Sequence, residues 1–142
     1  MGKRLMMDRV FFKTSISEQV REQALSVINN LGTYSFIDDT QSISHTDWHM
    51  SGFNQTMKLE NKYLPVIEEE INKHYDYISD ALNYEYNHGK SVLETVGMWF
   101  QQYKPGDYHS THTHGTCALS SVIYLELEGQ DQATEFFTKN NK

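Results

Sequence analysis

Three of the seven histidines fall within six residues, at His109, His112 and His114. On an extended backbone, side chains two residues apart share a face, with about 6.5 Å between their backbone positions. His112 and His114 so spaced can turn both imidazoles toward one ion, and neutral imidazole is the commonest protein ligand for metals. His109 stands three residues before His112, so a straight chain turns it to the opposite face. A bend after Tyr108 would bring it in as a third ligand. The plain alternative is a histidine-rich polar turn that binds no physiological metal.

The elements that must position these histidines can be read outward from them. Pro105-Gly106 turns the chain just before the cluster. The stretch Glu94 to Tyr103 reads as a strand, with Val96, Met98 and Phe100 on one face and Trp99 on the other. After the histidines, the apolar run Leu119 to Leu127 reads as a buried strand that holds the site, and Ala133 to Thr138 as a short strand beyond the Glu128-Gly129-Gln130-Asp131 turn. Upstream, Leu64, Ile67, Ile71, Tyr75, Ile78 and Leu82 recur at three or four residues. That spacing predicts an amphipathic helix from Leu64 to about Tyr86, with Pro65 in its first turn and Asn87-His88-Gly89 breaking it. Glu68, Glu69 and Glu70 lie near its positive end.

Nearer the N-terminus, Arg9 to Lys13 reads as a short apolar strand. Ser15-Ile16-Ser17-Glu18 has the capping-box pattern, which makes Ser15 the N-cap. Val20, Ala24, Val27, Ile28 and Leu31 form the apolar stripe of the helix that follows, and Gly32 is its stop signal. Tyr34, Phe36 and Ile37 read as a short strand. The polar segment 38–56 reads as a loop carrying Trp48, His49 and Phe53, with Trp48 packed over the core. Helices first and strands after give an α+β order.

Composition bounds the function. A chain of 142 residues should form one domain over 1–142, with 38% hydrophobic and 13% aromatic content sufficient for a core. The net charge is −7 and the pI about 5.4. No basic patch is present, which argues against a nucleic acid held through its phosphates. No segment approaches the length of a membrane-spanning helix and no signal peptide is evident, so the expected location is the cytoplasm, that of the host if the gene is phage-borne. Cys117 is the sole cysteine, so no internal disulfide can form.

The stretch from about 95 to 138 resembles the prolyl-hydroxylase-like branch of the iron(II)/2-oxoglutarate oxygenases. Tyr103, Gly106, Tyr108 and His112 sit as in that branch's Y-x-x-G…H-x-D motif. Ser121-Val122-Ile123-Tyr124-Leu125 looks like its S-G-V-Y-Y-L strand, and Thr134-Glu135-Phe136 like its G-x-T-x-F strand. The W-x-x-x-Y-x-x-G-x-x-x-x-x-H-x-H spacing is nearest a subgroup common in phage and marine genomes. The resemblance implies a double-stranded β-helix, or jelly roll, with the N-terminal helices packed on the sheet. It implies Fe(II) and 2-oxoglutarate as cofactors and hydroxylase-type chemistry. His112 matches the first metal ligand. His114 stands where the branch has Asp, which removes a negative charge and shifts preference toward nitrogen-favouring ions such as Zn, Ni or Cu. Tyr103 and Tyr124 match positions whose phenols line the cosubstrate pocket.

No histidine follows His114, whereas relatives carry a distal metal histidine and an Arg or Lys for the 2-oxoglutarate carboxylate further on. The expectation is therefore a truncated form with impaired activity, whose uncovered strands pair with a second copy to give a homodimer. A cupin-like metal-binding protein is an alternative. Gly106, then five residues, then His112-x-His114 fits the cupin opening, but Cys117, Ala118 and Leu119 occupy the place of its Glu. A non-catalytic interaction module is a second alternative. The substrate is not legible, because one scaffold serves many.

Overall fold

The computed structural model describes residues 2–6, 9–32, 35–48, 62–86, 92–114, 119–129 and 133–135. The chain forms two compact units, Ser17–Thr113 and the pair of segments Met1–Ile16 and His114–Lys142. Among the described residues the class is α+β, with helices α1 (Glu18–Asn29) and α2 (Leu64–Tyr86) and short antiparallel strand pairings.

The larger unit holds both helices. Ser17, extended at φ −68° and ψ 151°, caps α1 by accepting the Val20 N–H at 3.3 Å. This corrects the expectation that Ser15 is the cap. Glu18 is the first helical residue, and its carboxylate accepts from the Arg21 guanidinium one turn on, at 2.9 Å from Nε, so it is not the reciprocal partner that a capping box needs. The helix stops before Gly32, because Asn30 closes it: its side-chain amide donates to the Ser26 carbonyl at 2.7 Å and its backbone N–H to that of Val27. Ala24 and Ile28 are buried, as their stripe requires, and α1 packs against α2. Helix α2 begins at Leu64, with Pro65 in its first turn. Ile67 is buried, and Leu64, Ile71, Tyr75, Ile78 and Leu82 are half-buried on the same stripe.

The region read as a polar loop contains strands. Strand β3 (Phe36–Asp38) is the short strand expected at Phe36 and Ile37, and β4 (Gln41–Ile43) and β5 (His45–Thr46) lie within the expected loop. Asp38 makes the reversal between β3 and β4, its carboxylate accepting the N–H groups of Thr40 and Gln41 at 2.7 and 3.0 Å. Such a side-chain turn lets three-residue strands pair, which a search for longer alternating runs does not detect. Strand β4 also pairs with β7 (Tyr108–His109), and β5 with β6 (Gln101–Gln102), all antiparallel.

The expected strand 94–103 contracts to β6. Phe100 shows the reason. Its N–H is taken by the Asp47 carboxylate at 2.9 Å, and its carbonyl by the Thr46 hydroxyl at 2.7 Å. Side chains satisfy the backbone groups that a longer ladder would have used. The second oxygen of Asp47 accepts from the buried Tyr63 hydroxyl. His45 lies in the same packing, edge-on to Phe100 at 4.7 Å, with its ring nitrogens 3.2 Å from the Gln102 side-chain oxygen and the Gly32 carbonyl. The core of this unit is Ala24, Ile28, Ile43, Tyr63, Ile67 and Phe100, and His45, Thr46 and Ser79 are polar residues buried with it. Trp48 sits at its margin, 41% exposed, in edge contact with Phe36.

In the smaller unit, β1 (Gly2–Met6) and β2 (Arg9–Lys13) form a hairpin with Gly2 opposite Lys13. The second strand was expected and the first was not. The apolar run 119–127 is a correction: it forms no strand, and Leu119, Val122, Tyr124 and Leu127 are each more than 40% exposed. Residues 133–135 are likewise outside any strand. An apolar run makes a strand only where a neighbouring strand completes the ladder, and this run joins none of the sheets of the described residues. Tyr34, His49, Phe53, Asn87-His88-Gly89, Cys117 and Phe136 lie outside the described residues. Among the described residues, no helix is long and apolar enough to cross a membrane.

Candidate metal site

The turn that leads into the histidines is built as its sequence requires. Lys104-Pro105-Gly106-Asp107 closes through the Asp107 N–H to the Lys104 carbonyl at 2.9 Å, with Gly106 at φ +92°. Proline at the second position and a positive φ at the third define a type II turn, and the positive φ is what calls for glycine. A methyl group at Gly106 would meet no atom within 4 Å, so the demand comes from the backbone alone.

Asp107 docks this turn on β4. Its carboxylate accepts from the Ser42 hydroxyl at 2.8 Å, the Ser44 N–H at 3.1 Å, the Lys104 N–H at 2.8 Å and the Ser44 hydroxyl. These donors favour the ionised form, led by the Lys104 N–H and then the two serine hydroxyls, and hold the Asp107 pKa at about 2. Neither Asp107 nor its serines were singled out from sequence. A signal was present, since Ser42-Ile43-Ser44 alternates and puts both hydroxyls on one face of a strand.

From Asp107 the chain enters β7. His109 lies opposite Gln41, and the Ser110 N–H continues the pairing to the Thr40 carbonyl at 2.9 Å. The bend therefore comes after Ser110, two residues later than a bend after Tyr108. It folds His112 back over His109, with ring centroids 4.2 Å apart and planes 15° from parallel. The Nδ1 of His112 donates to the Ser110 carbonyl at 3.0 Å. In that tautomer Nε2 carries the lone pair, the arrangement in which a backbone carbonyl orients a metal-binding imidazole.

His112 thus fits a ligand that binds through Nε2. His114, exposed, is the first residue of the other unit's second segment. Among the described residues, no group of three or more His, Cys, Asp or Glu side chains converges as a metal cluster. Tyr103 is 44% exposed, and its hydroxyl donates to the Gln101 side chain at 2.9 Å. Partial burial, and then the charge of Asp107, raise its pKa. Tyr124 belongs to the smaller unit, where its hydroxyl accepts the Thr134 N–H at 2.7 Å.

The family model described as "Putative 2OG-Fe(II) oxygenase" matches residues 97–142. This stretch is similar to the 2-oxoglutarate/Fe(II) oxygenases. The matched residues include Tyr103, His109, His112, His114 and Tyr124, and such oxygenases depend on Fe(II) and 2-oxoglutarate. No curated protein and no solved structure matches the chain.

Proposed function

We propose that this chain is a 2-oxoglutarate/Fe(II) oxygenase of hydroxylase type, in which His112 and His114 hold a divalent metal. The observation that carries the reading is the family match over 97–142, which spans the histidine turn. The tautomer of His112 supports it, because Nδ1 is committed to a backbone carbonyl and Nε2 is the basic nitrogen. Bound Fe(II) with 2-oxoglutarate would supply the oxidising chemistry of this superfamily. The protein's part is to present imidazoles and to orient the cosubstrate, and the phenols of Tyr103 and Tyr124 are the groups we assign to the second task. The jelly roll is the architecture that the similarity implies.

His114 in place of a carboxylate makes the donor set neutral. A neutral nitrogen set favours Ni, Cu or Zn over harder ions. Calorimetry with Fe(II), Ni(II) and Zn(II) tests the reading. Wild-type protein should bind, and His112→Ala and His114→Ala should each bind at least tenfold more weakly. Equal affinity in wild type and the double variant would remove the metal site and the function built on it.

A further inference from the structure

We infer that His109 is a positioning residue, a flat shelf on which the metal-binding His112 is stacked, and not a third ligand. The inference rests on the proposed metal role of His112. An ion bound by an imidazole lies in the ring plane, about 2 Å from the nitrogen. Two imidazoles that share an ion therefore have planes that meet at that ion. The planes of His109 and His112 are 15° from parallel, with centroids 4.2 Å apart. Planes so nearly parallel do not meet within reach of a metal bond. The rings touch face to face, in the manner of an aromatic pair.

The shelf is better fixed than the ring it carries. His109 sits in β7 opposite Gln41, half-buried, and Ser110 continues the pairing to Thr40. Asp107, two residues earlier, ties the same strand to Ser42 and Ser44. By strand alternation His109 shares its face with Ile43, which is buried. His112 is exposed and lies outside any strand. Its ring is oriented by its Nδ1 bond to the Ser110 carbonyl and by the face of His109. Together these restraints select the Nε2-basic tautomer and hold it ready for an ion, which lowers the entropy lost on binding.

His109→Phe and His109→Ala separate shelf from ligand. Phenylalanine keeps a flat face but has no lone pair, whereas alanine has neither. The probes are Ni(II) affinity by calorimetry and the His112 tautomer by nitrogen NMR, both at about pH 8. His109→Ala should weaken Ni(II) binding by about three- to tenfold, the size of one aromatic contact, and should mix the His112 tautomers. His109→Phe should restore both to near wild type. Equal losses in the two variants would make His109 a ligand and overturn the inference. Wild-type behaviour in His109→Ala would overturn it too. Should His109→Ala fail to fold, His109→Phe decides alone: retained affinity supports the shelf and lost affinity overturns it. Should wild-type protein bind no Ni(II), the proposed function fails, and the tautomer in His109→Ala still decides the shelf.

Discussion

Replacing Thr46 by Val tests how the segment leading to the histidines is held. Thr46 is fully buried. Its hydroxyl donates to the Phe100 carbonyl at 2.7 Å and accepts the Trp48 N–H at 3.1 Å. Valine has nearly the same shape, so the substitution leaves no cavity and removes both bonds. A buried backbone group left without its partner costs about 1–3 kcal/mol. The Phe100 carbonyl lies by a buried side chain and should bear the upper part of that range. The Trp48 amide belongs to a residue 41% exposed, so water can replace the lost acceptor and its cost is near the lower end. The extra buried methyl returns about 0.8 kcal/mol. The net is a loss of about 2–3 kcal/mol, or a shift of about 1 M or more in the urea midpoint for a small unit. The sole tryptophans, Trp48 and Trp99, both lie in the larger unit, so their fluorescence in a urea titration reports this unit alone. An unchanged or higher midpoint with an unchanged slope would refute the claim that Thr46 fastens the chain at Phe100.

Other expectations concern the turn and the cap. The folded pKa of Asp107, about 2, lies below the ordinary value of 3.8, so its ionised form stabilises the fold above that ordinary value and the contribution is lost as pH falls from 3.8 toward 2. The stability gap between wild type and Asp107→Asn should therefore be full near neutral pH and close in acid, and a gap independent of pH in urea titrations would contradict the docking role. Gly106→Ala should destabilise the larger unit by about 1–2 kcal/mol through its positive φ, and a neutral result in the same titration would show that the type II turn is not required. Ser17→Ala should lower stability by about 1 kcal/mol, while Ser15→Ala should leave it unchanged, with thermal unfolding followed by circular dichroism as the check.

What the sequence revealed divides along a physical line. Helix α2 was legible to its end residues because its stripe repeats over many turns and each repeat is a local signal. Helix α1 was legible in its body but not at its ends, where Ser15 and Ser17 are equally good caps by type and the bond from the Val20 N–H to the Ser17 hydroxyl separates them. The Pro105-Gly106 turn was legible because its backbone angles demand those residue types. Strand β3 was legible from Phe36 and Ile37, whereas β4 and β5 were hidden in a polar tract, since their pairing depends on the Asp38 reversal and on Phe100 bonding to Asp47 and Thr46 across a long stretch of sequence. The run 119–127 read as a strand from its apolar residues, yet a ladder needs a neighbouring strand that hydrophobicity alone does not supply. The histidines were found by type and spacing. The stacking of His112 on His109 was not, because it depends on a bend after Ser110 that no residue type marks.

The measurement that bears most directly on the function is metal analysis of purified protein with and without His112 and His114, followed by titration of the metal-loaded protein with 2-oxoglutarate. Wild-type protein should retain close to one divalent ion per chain and then bind 2-oxoglutarate saturably. Both the ion and the cosubstrate binding should be lost in the His112→Ala/His114→Ala variant. The same metal content in wild type and variant, or 2-oxoglutarate binding that ignores the metal, would contradict the assignment.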